Sequence, residues 1–246
     1  MNVKRHFRFT RLLNHNADIK SNSKNRSRDR LVFNDYEKDS LKIAAKHCRT
    51  GHRLDRSLLL MKLALIAANQ NTDIVEIGVF KGGSAQLIIS ALSGISSPIN
   101  LTLFDTFEGH PKSSVNRKVD GAQRVGHFKA TNDYEVRDYL NNLRKSKNLS
   151  IFVHKADVML FDLNNALGDR PIGLCHIDTD LYAPTLRVLL SLADRIAPGG
   201  FFLIDDYNEV RTPGLLAAVQ EFMELRRDFT FVPCVVTQAI LVKNNF

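Results

Sequence analysis

Ile74–Ile88 reads IVEIGVFKGGSAQLI, and this stretch decides how the rest of the 246-residue chain is read. Ile74, Val75 and Ile77 form a short apolar run that stops at Gly78 and resumes with helical spacing behind Gly82, Gly83 and Ser84. A strand, a glycine turn and a helix account for that order. Glycine lets the backbone turn tightly and approach a ligand. The first N–H groups of the helix have no partner within it and face the same spot. The spacing Gly-x-x-x-Gly-Gly is not the Gly-x-Gly-x-x-Gly of a dinucleotide site. Lys81 stands before the glycine pair, so there is no phosphate loop either. Glu76 sets the chemistry, because a carboxylate within a buried strand is costly without a partner. A cationic ligand such as an amino group satisfies it and a pyrophosphate is repelled; a core lysine or arginine is the alternative partner.

The same alternation continues outward. Strands are expected at Asp73–Ile77, Asn100–Phe104, Ser150–His154, Ile172–Ile177, Phe201–Ile204, Phe229–Val232 and Ala239–Lys243. Helices are expected near Gly83–Leu92, Asp133–Lys145, Val158–Leu167, Pro184–Ile196 and Pro213–Arg226. Strands alternating with helices imply an α/β fold, a doubly wound, mostly parallel sheet covered on both faces. The last two strands are close enough around Pro233 and Cys234 for a hairpin, so the final strand is expected to be antiparallel. Residues 36–70 form an N-terminal helical extension, where Asp55, Arg56 and Ser57 mark a start and Leu58–Ala67 carry an apolar stripe. Phe107–Gly126, FEGHPKSSVNRKVDGAQRVG, is long and non-periodic, as functional lids are.

Composition excludes several classes. Apolar residues at 44% and charged residues at 24% are ordinary for a globular protein. The longest apolar runs fall far short of the roughly 18 residues that a membrane helix needs. The opening MNVKRHFRFT has no apolar core of a secretory signal, so a cytoplasmic protein is expected. The three cysteines, Cys48, Cys175 and Cys234, show no metal-knuckle spacing and read as free thiols. The net charge of +8 is local: residues 1–30 hold nine Lys and Arg against two Asp, a net +7, which leaves +1 for the remainder. That basic segment, 1–35, is expected to be a mobile arm. A nearly neutral body makes nucleic acid an unlikely partner.

Further acids end the predicted strands. Asp105 follows the second, where a carboxylate in a doubly wound sheet accepts hydrogen bonds from ribose hydroxyls. Asp157 follows the third, within reach of an adenine amino group, or else as a plain helix cap. LCHIDTDLYAPT carries Asp178 and Asp180, and APGGFFLIDDYNE carries Asp205 and Asp206. Both strand ends open on one crevice of a parallel sheet. Four carboxylates converging there repel one another unless a hard divalent cation such as Mg2+ relieves them. His176 shares a strand face with Asp178 and reads as a packed strand residue.

VEIGVFKGGSA, FDTFEG, HIDTDLYAPT and PGGFFLIDDY together resemble the macrocin O-methyltransferase family over about Thr72–Tyr207. The resemblance implies a Rossmann-like, class I S-adenosylmethionine-dependent methyltransferase domain over 71–246, acting on sugar hydroxyls of natural products. It implies that Glu76, Gly78, Gly82 and Ser84 hold the methionine part of S-adenosylmethionine, Asp105 the ribose and Asp157 the adenine. It implies a metal, normally Mg2+, on Asp178, Asp205 and Asp206, with Asp180 or Asp178 as the catalytic base. The chain departs from the family in reading Asp-Thr-Asp at 178–180, where Asp-Gly-Asp is usual. The expected acceptor is a small molecule with a hydroxyl, a sugar or a glycosylated natural product, and the chain is a candidate homo-oligomer. Two other readings remain open: an RNA methyltransferase using the basic arm, and a metal-independent or non-catalytic protein that binds the same cofactor. The loop Glu108–Gly126 is expected to close over the acceptor, and Lys112, Arg117, Lys118 and Arg124 hint that the acceptor is polar or anionic.

Overall fold

The computed structural model describes residues 54–143, 145–234 and 237–245, together with Asp35, Lys38, Asp39, Leu41 and Lys42. The elements are α1 (Leu54–Asn69), β1 (Asp73–Ile77), α2 (Gly83–Ala91), β2 (Ile99–Asp105), α3 (Arg117–Asp120), α4 (Asp133–Asn141), β3 (Leu149–Lys155), α5 (Leu163–Ala166), β4 (Ile172–Ile177), α6 (Tyr182–Leu192), β5 (Ile196–Asp205), α7 (Pro213–Leu225), β6 (Phe229–Pro233) and β7 (Gln238–Lys243). The basic arm and most of 36–53 lie outside the described residues. Leu41 is buried with Met61 of α1 and Leu87 of α2.

The seven strands form one sheet in the order β3-β2-β1-β4-β5-β7-β6. Pairings from β3 through β5 are parallel. The chain's last strand, β7, is antiparallel to both neighbours. It sits between β5 and β6, so the sheet's edge on that side is β6. Alternation along the strands divides the core in two. Ile74, Leu101, Leu103, Leu174 and Leu203 pack beneath α1, α2 and α4. Val75, Ile77, Cys175, Ile177, Phe202 and Ile204 pack on the other side beneath α6 and α7. The same alternation places Glu76, His176 and Asp205 on the α1 side. Glu76 is level with His176 and His176 with Leu203, two residues before Asp205.

The main difference from the sequence reading lies at 158–167. The expected helix is only α5, because two aspartates close separate turns. Met159 N–H donates to Asp157 Oδ1 at 2.9 Å, and Asn164 N–H to Asp162 Oδ1 at 3.0 Å. The β5 strand begins five residues earlier than expected, and α6 ends at Leu192, short of Ile196.

The loop expected to close as a lid is tied down. Asp120 is fully buried: Asn116 N–H donates to Oδ2 (2.7 Å) and Tyr182 N–H to Oδ1 (2.8 Å). Leu181, at the N-cap of α6, offers no side-chain cap, so Asp120 supplies it from the loop. Gln123 donates to Arg211 O, and Thr131 Oγ1 to Phe80 O at 2.7 Å. We predict that Asp120→Ala costs roughly 1–3 kcal/mol by removing a buried carboxylate that two backbone N–H groups share. Denaturant unfolding measures the loss; an unchanged midpoint would show that the loop is not anchored there.

Candidate functional site

Gly78 leaves β1 with φ +92, and a Cβ there would lie 2.1 Å from Asp178 O. Only glycine lets the ends of β1 and β4 approach this closely, where Asp178 N–H donates to Ile77 O at 2.8 Å. Gly82 caps α2 in the left-handed region, φ 80, and Ser84 is buried in the first turn behind it. Asp105 holds the turn from below. Its Oδ2 accepts from Val79 N–H and Phe80 N–H, each at 2.8 Å, and its Oδ1 from Phe107 N–H at 2.7 Å. A carboxylate has about four acceptor positions, so these bonds leave room for about one more partner. Asp105 therefore orders the glycine turn itself, a role that the strand-end reading did not include. Asp157 likewise caps the turn after β3 through one oxygen.

A buried line of charge runs from this turn to the acidic strand ends. Glu76 Oε1 meets His176 Nδ1 at 3.1 Å, and both side chains are fully buried. Glu76 Oε2 is buried and has no hydrogen-bond partner among the described residues. His176 Nε2 lies 3.5 Å from Asp205 Oδ2, which pairs with Arg56 Nη2 at 2.9 Å. Arg56 Nη1 reaches Asp206 Oδ1 at 2.8 Å. Gln238 Nε2 donates to Asp205 Oδ1. Burial opposes a charge on His176, but Asp205 and Glu76 outweigh it and lift the imidazole to about 10. Burial likewise opposes Arg56, and its three aspartates reverse the effect and hold it charged.

Beyond Arg56, one ligand atom each from Asp178, Asp180 and Asp206 lies within 4.8 Å of the others. Burial raises the Asp180 carboxyl well above the usual range, and the charges of Asp178, Asp206 and Asp205 add to this while Arg56 opposes it. Asp206 is raised by burial and Asp178 against the pull of Arg56. Asp180 (φ 60) and Asp206 (φ 54) both adopt left-handed backbone, a strained state for residues other than glycine. His110 Nε2 approaches Asp180 Oδ2 to 4.0 Å. His110 and His127 share Gln123 Oε1, at 3.3 and 3.1 Å, and Phe128 packs edge-on against both rings.

The model of the macrocin O-methyltransferase family, TylF, matches residues 2–230. The chain belongs to this family. A relative, the 8-demethyl-8-(2,3-dimethoxy-alpha-L-rhamnosyl)-tetracenomycin-C 4'-O-methyltransferase of Streptomyces olivaceus, is 27% identical over 137 residues, 55% of this chain and 52% of that protein. The demethyldecarbamoylnovobiocin O-methyltransferase of Streptomyces niveus is 25% identical over 166 residues, covering 64% and 60%. The chain thus spans between half and three-fifths of these curated relatives. The crystal structure of CalS11, a calicheamicin methyltransferase, superposes with a TM-score of 0.65 at 21% identity, covering 97% of this chain and 91% of that one. At that identity the likeness establishes the shared fold.

For this macrocin O-methyltransferase family member, the structure brings Glu76, Gly78, Gly82, Ser84 and Asp105 around one turn. It brings Asp178, Asp180 and Asp206 together at the neighbouring strand ends. Asp205, read from the sequence as a metal ligand beside Asp178 and Asp206, is instead turned into the α1 side against Arg56, His176 and Gln238. The physical reason is strand alternation: Asp205 still belongs to β5, whereas Asp206 begins the left-handed turn. Sequence reasoning missed Arg56, His110 and Asp120. Arg56 did leave a signal, since it heads the buried stripe of α1 with Leu60, Ala64 and Ala67. An arginine on such a stripe requires a buried acid. We expect Gly78→Ala to lower the melting temperature and abolish binding of S-adenosylhomocysteine, while Gly94→Ala, where a Cβ meets nothing within 4 Å, leaves both unchanged. Thermal melts and calorimetry on both variants decide it; normal binding by Gly78→Ala would refute the close-approach argument.

Proposed function

We propose that this protein is an S-adenosylmethionine-dependent O-methyltransferase that methylates a hydroxyl of a sugar or glycosylated small molecule, assisted by a hard divalent cation. One observation carries the reading: among the described residues, five carboxylates (Glu76, Asp178, Asp180, Asp205 and Asp206) share one largely buried rim with two internal cations, Arg56 and His176. That imbalance suits a ligand pair in which both members are positive. The family's match, and the sugar O-methyltransferases among its relatives, support the acceptor class.

The residues fit both groups. S-adenosylmethionine, when bound, supplies a methyl group that is already electrophilic on its sulfonium. Glu76 Oε2, buried and without a hydrogen-bond partner among the described residues, suits the ammonium of its methionine part. Gly78 and Gly82 give the turn its close approach, and Ser84 lies in the first turn of α2 with its N–H groups. Asp105 has room for about one further hydrogen bond, enough for a ribose hydroxyl. Asp157 uses Oδ1 to close its turn, and its other oxygen would take the adenine amino group. Asp178 and Asp206, expected as ligands from the sequence, lie with Asp180 within 4.8 Å and would hold the cation. A divalent cation lowers the pKa of a hydroxyl that it touches.

This chain's own work is orientation and proton removal. The turn and the acid cluster sit on adjoining strand ends, so donor and acceptor meet in fixed geometry, which is worth much of the barrier. Asp180, buried with its pKa raised, takes the proton that leaves the acceptor hydroxyl, with Asp178 as the alternative. His110, beside Asp180, and Phe128, edge-on to it, would border the acceptor.

Calorimetric titration with S-adenosylhomocysteine should give measurable binding; absence of heat and of thermal stabilisation would remove the cofactor assignment. Transfer of radiolabelled methyl to a panel of glycosides should stop on chelation and return with Mg2+. Asp206→Ala should abolish that transfer while S-adenosylhomocysteine affinity stays within about threefold. Full turnover after chelation would remove the metal from the proposal.

A further inference from the structure

We infer that His176 is a positioning residue for the cofactor: its Nδ1–H holds one oxygen of Glu76 and leaves the other for the amino group of S-adenosylmethionine. The inference rests on the cofactor reading above. It goes beyond the packed strand residue that the sequence pattern suggests.

The pairing is built into the backbone. Glu76 and His176 are register partners on the adjacent parallel strands β1 and β4. Glu76 Oε1 lies 3.1 Å from His176 Nδ1, and both side chains are fully buried. An ionised carboxylate only accepts, so Nδ1 carries the proton of this bond. Glu76 Oε2 is buried as well, and it has no hydrogen-bond partner among the described residues. One oxygen is therefore engaged by the chain, and the other is the one that a ligand can satisfy.

The ring is held from its far side too. Its Nε2 lies 3.5 Å from Asp205 Oδ2, and Asp205 is itself engaged by Arg56 at 2.9 Å and by Gln238. Flipping the imidazole would set carbon against both carboxylates, so one ring orientation is favoured. The pair also sits directly behind the glycine turn. Glu76 is two residues before Gly78, and His176 is two before Asp178, whose carbonyl oxygen a Cβ at Gly78 would strike.

The terminal torsion of a glutamate is broad when nothing restrains it. The bond from His176 fixes that torsion and offsets part of the cost of burying the carboxylate before the cofactor arrives. Its contribution is confined to the amino group, because the residues proposed for the ribose and adenine, Asp105 and Asp157, lie on other strand ends. A loss at His176 is therefore expected as lost discrimination for the amino group and not as lost affinity for the adenosine part.

The test uses the full chain and calorimetric titration with two probes, S-adenosylhomocysteine and its deamino analogue, which lacks only the amino group. The parent should prefer S-adenosylhomocysteine by about tenfold or more. Glu76→Gln should lose most of that preference. His176→Leu should cut it by about fivefold or more. His176→Asn sets a side-chain N–H where Nδ1–H stood and should keep the preference within about twofold. Affinity for the deamino analogue should stay within about threefold in every variant, which also verifies folding. An undiminished preference in His176→Leu, beside its loss in Glu76→Gln, overturns the inference and leaves the cofactor reading intact. Equal loss in His176→Leu and His176→Asn overturns it too, because the packing of the ring and not its N–H then matters. If His176→Leu does not fold, nitrogen-15 magnetic resonance of the parent decides. The Nδ1–H signal of His176, assigned by its absence from His176→Asn, should move with S-adenosylhomocysteine and stay in place with the deamino analogue; the same response to both overturns the inference. A preference retained by Glu76→Gln removes Glu76 from the amino-group site and the inference with it. Absence of S-adenosylhomocysteine binding by the parent removes the inference and the cofactor reading together.

Discussion

Carboxylates held together at a largely buried strand-end rim are the constraint around which this end of the molecule is organised. Three of them approach within 4.8 Å, and two more lie along a buried line behind them. Like charges at such separations raise one another's pKa and push the group toward protonation. The protein counters this with alternating signs: Glu76, His176, Asp205, Arg56 and Asp206 follow in order, each touching the next. The line links the glycine turn to the acid cluster through three strands and one helix. A change at one end is therefore felt electrostatically at the other, because a low-dielectric interior screens little.

The sheet makes this gathering possible by topology alone. Four neighbouring parallel strands, β2, β1, β4 and β5, all end on one side, so every strand-end acid arrives at the same rim. Period-two alternation then sorts them. Residues of one parity face α1, where Arg56 waits; the residues just past the strands turn into the crevice. The cost is local backbone strain. Non-glycine residues with positive φ cluster at the rim, with Phe80 and Phe107 about the turn and Asp180 and Asp206 in the acid cluster.

Much of this was legible in the sequence because it follows from short-range rules. The strands came out within a residue or two, β5 apart, since apolar runs bounded by glycine or acid have clear ends. The glycine turn and the strand-end acids were read from spacing alone. What was not legible depends on contacts across the chain. Asp157 and Asp162 each close a turn and break what reads as one helix. Arg56 and Asp205 are about 150 residues apart, and nothing local to either names the other. Asp205 and Asp206 look equivalent in a string, and only the left-handed turn separates them. The loop 108–126 reads as a free flap because its anchors, Asp120 and Gln123, bond to residues some 60 to 90 positions away.

That anchoring ties a surface loop to the core. The amide that Asp120 satisfies belongs to the opening turn of α6, so the loop that carries it doubles as the cap of a core helix. Lys112, Ser113 and Asn116–Lys118 face solvent, whereas Asp120 and Gln123 behave as the fixed corners of a picture frame, keeping the opening square whatever is hung inside it.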